Sequence, residues 1–190
     1  MTAGRRGGDR KPGSLRLLTA PRDVCTSLSV GDAVVYAAHG IGEVVSALSE
    51  GDSETITVSF PNGLTVILPR AMAFESLRPV SGEVELRRVR ATLRAESAET
   101  AEPWSRRYRR TAEKVTAGRI EELAEVVRDG FRRERRRVAR GNGGMPPADR
   151  QLYLRARALL TAEVAAARGI EPGEADAWIL HQVAVQSTDP

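Results

Sequence analysis

The sequence predicts an α+β fold in which a small antiparallel β-barrel is followed by a bundle of about five helices. Between Val30 and Val80, short runs of apolar and β-branched residues alternate with turns that contain glycine or proline. Beyond the barrel, apolar residues recur every three or four positions, as they do on one face of a helix. The chain has 190 residues, which is enough for two small domains with modest cores. We therefore expect a basic arm at 1–27, the barrel at 28–80 and a helical domain at 81–186.

The first 27 residues are rich in Gly, Arg and Pro and show no sustained periodicity, which predicts a disordered basic arm. The arm is either a tail without a role of its own or a source of additional nonspecific attraction to phosphates. It has no apolar core of the kind found in signal peptides, and no stretch of the chain is long enough to cross a membrane. Cys25 is the single cysteine, and no spacing of cysteines or histidines indicates a metal site. We expect a cytoplasmic, monomeric protein with no metal and no cofactor.

Four apolar runs predict the strands of the barrel, at 33–36, 42–45, 55–60 and 64–68. The turns between them include His39-Gly40-Ile41-Gly42 and the hairpin signal Pro61-Asn62-Gly63. The two glycines of the first turn lack the third glycine and the following helix of a nucleotide-binding loop, so a tight turn is the better interpretation.

Five helices are predicted in the second half, at about 82–95, 103–118, 119–140, 148–168 and 171–185. Trp178 and His181 are assigned to packing within the last helix. The third helix ends in a dense group of arginines, which the helix dipole partly explains because it stabilises cations near a C-terminus. These residues are Arg132, Arg133, Arg135, Arg136, Arg137 and Arg140. The Gly- and Pro-rich segment 141–147 is predicted to be a flexible break.

The helix that begins near Pro103 and ends at Gly118 combines aromatic residues with many arginines. Trp104 and Tyr108 fall on its apolar face, and a tryptophan on such a face is more often part of a core. Trp104 lies in the first turn, however, where a side chain can project past the end of a bundle. The arginines form either a solvated face or a surface for phosphates.

The charge distribution favours an acidic partner, and nucleic acid comes first among such partners. The formal net charge is only +4, but the many arginines raise the pI to about 9.8. The sequence has no phosphate-binding loop, no recognisable frame of paired catalytic carboxylates, and no Cys-His or Ser-His arrangement. We therefore expect a binding protein and not an enzyme.

Three runs of residues closely resemble the CarD/CdnL family of bacterial RNA polymerase-binding transcription regulators. They are WSRRY at 104–108, AEVVRD at 124–129 and LRAR at 154–157. The resemblance implies a Tudor-like barrel that binds the β subunit of RNA polymerase, and a helical domain that contacts promoter DNA. A protein with these contacts is expected to be associated with the nucleoid. It also implies that Trp104 is a wedge in the minor groove at the upstream edge of the transcription bubble, where it stabilises the open promoter complex. The basic residues assigned to DNA with it are Arg106, Arg107, Arg109, Arg110, Arg150 and Arg155.

The polymerase contact is assigned by the resemblance to the strand before Leu68-Pro69, with Leu64, Val66 and Ile67 as its residues. Some family members have a basic residue at the position of Ile67, and a proline commonly follows the tyrosine where this chain has Tyr36-Ala37. An exposed Ile67 would suit an interface, whereas a buried one would belong to the core. Two alternatives remain: an architectural DNA-binding protein that has lost polymerase binding, and a protein adaptor that uses the barrel alone.

Overall fold

The computed structural model describes residues 28–37, 39–50, 53–96 and 102–185. The predicted arm with Cys25 lies outside these residues. The described ranges form a five-stranded antiparallel sheet followed by five helices, with one short helix inserted before the last strand, and the α+β prediction is confirmed. The strands are β1 Ala33–Tyr36, β2 Gly40–Glu50, β3 Ser53–Ser59, β4 Thr65–Pro69 and β5 Leu77–Pro79. The helices are α1 Arg70–Ser76, α2 Glu83–Arg94, α3 Trp104–Ala117, α4 Ile120–Ala139, α5 Pro147–Arg168 and α6 Pro172–Ala184.

The sheet has the strand order β4-β3-β2-β1-β5, so β4 is an edge strand. Its core is made by the inward-facing residues Val34, Val44, Ile56, Val58 and Phe60. The sequence patterns predict four of the strands. The pattern missed β5, which pairs with β1, because three residues that include a proline are too few to show alternation.

The helical bundle has one continuous core, and Leu93, Leu123, Leu160 and Ile179 are among its fully buried side chains. Trp178 packs against this core, with the Arg168 guanidinium 5.0 Å from the centre of its ring. His181 was predicted to pack and is exposed instead, since it faces away from the buried side of α6 marked by Ile179 and Val183. None of the described helices is both long and apolar enough to span a membrane.

The segment predicted to be a flexible break is tied to α4 by two side chains. Arg137 donates to the carbonyl oxygens of Asn142 and Gly144 at 3.2 and 2.9 Å. Glu134 accepts the backbone N–H of Met145 at 2.6 Å, and Met145 is buried in the bundle. The end of α4 and the start of α5 are therefore held together by polar contacts.

The sheet and the bundle meet at Glu163, which is 1% exposed on α5. Its two carboxylate oxygens accept from Arg78 of β5 at 2.5 and 2.7 Å, and the hydroxyl of Ser81 donates to it at 2.6 Å. Arg78 also donates to the carbonyl oxygen of Gly118 at 3.0 Å. Beside these contacts, Ala166 and Ala167 pack against a small apolar cluster formed by Ala33, Val35 and Val80.

Candidate functional site

Trp104 is the first residue of α3 and its side chain is 50% exposed. Pro103 precedes the helix, and its carbonyl oxygen accepts the backbone N–H groups of Arg106 and Arg107 at 3.1 and 3.2 Å. The indole ring stacks on Tyr108, with ring centres 5.3 Å apart and planes inclined by 27°. Deeper in the helix, Val115 is buried and belongs to the core. The first turn therefore places the ring at the end of the bundle, as its position in the sequence allowed.

The polar edge of the indole points towards α5, where its N–H donates to Asp149 Oδ1 at 3.0 Å. Asp149 is only 7% exposed and lies in the first turn of α5, where the helix dipole stabilises a carboxylate. Its other oxygen is 3.5 Å from Arg107 and 3.7 Å from Arg133. Both cations offset the desolvation of this buried carboxylate. Sequence reasoning missed Asp149, because its partners are 16 to 45 positions away along the chain and an acidic residue in a first turn is common.

The arginines predicted to bind DNA divide into two groups. Arg107 is turned towards Asp149, and Arg110 pairs with Glu102 at 2.6 Å. Arg106, Arg109 and Arg150 are exposed and form no ion pair with any described residue. Arg155 is also exposed, on α5. Phosphate contacts are therefore open to Arg106, Arg109 and Arg150, whereas Arg107 contributes to the support of Trp104.

The space between α3, α4 and α5 is narrow and rich in charge. Its volume is about 30 Å³, which is room for about two water molecules. Burial lowers the pKa of Arg133, and the nearby Arg107 guanidinium lowers it further, while Asp149 opposes both effects. Cations of two helices thus lie close together behind the exposed ring.

The three residues predicted to contact polymerase do not share one surface. Ile67 is 66% exposed on the outer face of β4, whereas Leu64 and Val66 are half-buried and pack against the core of the sheet. Alternation along the strand explains this difference, since neighbouring side chains point to opposite faces. Pro69 lies on the same outer face as Ile67, two residues further along β4. Pro69 is paired with Thr55 of β3, which is paired with Leu48 of β2, so Leu48 also lies on this face. The candidate contact surface is therefore centred on Ile67 and the open edge of β4.

Two adjoining regions of the chain match known families. Residues 28–81 match the CarD-like/TRCF RID domain, and residues 88–180 match the CarD C-terminal domain. The chain is also 30% identical over 117 residues to the Bacillus subtilis protein named "Putative transcription factor YdeB", an alignment that covers 57% of this chain and 75% of that protein. A sheet of the RNA polymerase-interacting (RID) type joined to a basic helical bundle defines a transcription regulator. This chain belongs to the CarD/CdnL family of such regulators. The match of the N-terminal sheet also indicates an interaction with RNA polymerase.

Proposed function

We propose that this protein docks on the β subunit of RNA polymerase through the β4 edge and stabilises the open promoter complex with Trp104. The observation that carries the proposal is a half-exposed indole ring at the end of the bundle, held on its polar edge and flanked by exposed arginines. In this arrangement the protein acts on promoter melting at the upstream edge of the transcription bubble. A protein with these contacts would be associated with the nucleoid.

The β4 edge is suited to docking by strand addition. An edge strand presents N–H and C=O groups that a strand of a partner can pair with, and alternate side chains supply specificity. Ile67 gives this edge an exposed apolar contact. The Tyr36-Ala37 departure lies elsewhere, because Ala37 packs against Gly118 at the junction with the bundle: a Cβ at Gly118 would be 2.9 Å from Ala37. This departure therefore does not argue against polymerase binding.

The indole ring is suited to a melted base step. Unstacking a step costs a few kcal/mol, and an apolar wedge that stacks there recovers part of that free energy only when the step is open. Because Asp149 already binds the indole N–H, the outward part of the ring is apolar. A difference in affinity between open and closed DNA is what shifts the equilibrium towards the open complex.

Arg106, Arg109 and Arg150 supply phosphate contacts around the wedge. Such contacts fix the position of a protein on DNA without reading its sequence. Promoter choice would then come from the polymerase and its sigma factor.

The proposal is tested by the lifetime of open complexes formed by the cognate polymerase on a slow-melting promoter. The wild-type protein should extend this lifetime. Trp104→Ala should lose the extension but still bind polymerase, whereas Ile67→Asp should lose both. Val84→Asp makes the same change at another exposed apolar residue, on α2, and should behave as wild type.

Two results would contradict the proposal. If wild type and Trp104→Ala extend the lifetime equally, Trp104 does not act as a wedge. Wild-type binding to duplex DNA with no binding to polymerase would instead support the architectural alternative. Thermal unfolding of each variant is the control for folding, and a large loss of stability in Trp104→Ala would mark the ring as structural.

A further inference from the structure

Apart from the contact of Arg133 with Asp149, the arginine-rich end of α4 has no role in the function proposed above. Arg133, Arg136 and Arg140 are spaced three and four residues apart and therefore lie on one stripe of the helix. We call these three residues the α4 stripe. Arg140 and the neighbouring Arg135 are exposed. The helix dipole stabilises cations in the last turn of a helix, but this explanation does not extend to Arg133, which lies two turns before the C-terminus.

The α4 stripe begins at the Trp104 site. Arg133 is 3.7 Å from Asp149, the residue that accepts the indole N–H. The Arg107 and Arg136 guanidinium groups both act on Arg133, so the cations form a continuous series from α3 onto α4. The pKa values of both Arg132 and Arg133 are lowered by burial and by neighbouring arginines. Crowding of like charges raises the free energy of the isolated protein, and a polyanion would relieve it.

The end of α4 is held in position before any partner binds. Arg137 and Glu134 bind the backbone of the following loop, between Asn142 and Met145. The helix therefore presents its stripe from a fixed position, and fixing a binding surface in advance lowers the entropy lost on association.

We propose that the α4 stripe is a phosphate track for the DNA duplex next to the Trp104 wedge, with Arg136 and Arg140 as its phosphate contacts and Arg133, which pairs with Asp149, as its link to the wedge. From Arg133 to Arg140 the helix rises by about 10 Å, since each residue adds about 1.5 Å. This length corresponds to about three base-pair steps of duplex. The ligand is the sugar-phosphate backbone of double-stranded DNA, contacted without regard to sequence. The proposal rests on the function proposed above, because Trp104 fixes where the duplex begins.

The test compares two double variants that remove the same charge. Arg136→Gln/Arg140→Gln removes two cations of the stripe. Arg87→Gln/Arg90→Gln removes two exposed cations of α2 that form no ion pair with described residues. Affinity for a labelled duplex is measured without polymerase at several salt concentrations, and Arg106→Gln/Arg109→Gln reports separately on the contacts of the proposed function.

The stripe variant should lower the slope of log affinity against log salt by about 2, because each lost phosphate contact accounts for about 0.9. Between about 50 and 200 mM salt, the wild type should accordingly lose about 10-fold more affinity than this variant. The α2 variant should keep the wild-type slope. Equal slopes for the stripe and α2 variants would overturn the proposal, whatever the result for Arg106 and Arg109.

A separate result addresses the proposed function. If Arg106→Gln/Arg109→Gln keeps the wild-type slope while the stripe variant does not, DNA binds α4 and the assigned α3 contacts are wrong. Should the stripe double variant fail to fold, Arg140→Gln alone replaces it, with an expected decrease in slope of about 0.9. An unchanged slope in that single variant would count equally against the track.

Discussion

Asp149 binds three groups from two other helices, and one of them is the indole N–H of Trp104. Its carboxylate accepts the indole N–H and lies within 3.7 Å of Arg107 and Arg133. Without the carboxylate, two partly buried guanidinium groups would face each other and the indole N–H would lose its acceptor. A buried donor or cation left without a partner is more destabilising than the loss of one average hydrogen bond.

Asp149→Ala is expected to lower the free energy of unfolding by about 2 kcal/mol and to release the Trp104 ring. Asp149→Asn retains an acceptor for the indole N–H and should hold the ring more firmly than Ala. The measurement is acrylamide quenching of Trp104 fluorescence in a Trp178→Phe background, combined with urea denaturation. Quenching that stays at the wild-type level in Asp149→Ala would show that stacking on Tyr108 alone orients the ring.

At the scale of elements, α3 shows what local sequence signals determine. Pro103 and Gly118 predicted its ends, and Gly118 adopts the left-handed conformation, with φ of 62°, that glycine accommodates at a helix end. These signals are local and can be recognised in the sequence. The hydrogen bond from Trp104 to Asp149 joins residues 45 positions apart, and no periodicity within one helix encodes it. The sequence therefore predicts more of the fold than of the contacts that hold the Trp104 side chain in place.

The pairing of α5 with α6 has a comparable long-range contact. Arg157 donates to both oxygens of Asp176, at 2.6 and 2.5 Å, in a bidentate arrangement. These hydrogen bonds lower the pKa of Asp176. A folded-state pKa below the unfolded value stabilises the protein above the unfolded pKa, and that stabilisation is lost as the pH falls through the folded pKa.

Asp176→Asn is accordingly expected to be less stable than wild type at pH 7. The difference should begin to shrink below about pH 4, the ordinary pKa of an aspartate, because the unfolded state then binds a proton that folded Asp176 does not. It should disappear as the pH falls through the lowered pKa of folded Asp176. Urea midpoints measured from neutral to acidic pH check this expectation. A difference that keeps its neutral-pH value down to about pH 2 would show that charge pairing with Arg157 is not its cause.

At the scale of the whole molecule, the geometry between the β4 edge and Trp104 depends on how the sheet meets the bundle. Arg78 and Glu163 are 85 positions apart in the sequence, and among the described residues their bidentate contact is the most buried ion pair between the two parts. A protein that docks with one part and acts with the other requires a fixed distance between them. No pattern in the sequence indicates this link, because Arg78 and Glu163 each resemble ordinary surface residues of a charged chain.

Glu163→Gln should lower the free energy of unfolding by about 3 kcal/mol, since breaking a buried pair leaves the remaining charge without compensation. This value is at the lower end of the range of about 3–5 kcal/mol that is usual for breaking a buried ion pair, because the Arg78 side chain is 35% exposed and water screens part of its charge. Glu113→Gln removes an exposed carboxylate on α3 and should be nearly neutral. The double variant Arg78→Met/Glu163→Met should recover much of the stability, because two apolar side chains leave no unpaired charge. Equilibrium urea denaturation compares all three variants. If Glu163→Gln proves as stable as Glu113→Gln, apolar packing of Ala166 and Ala167 holds the sheet to the bundle and the ion pair contributes little.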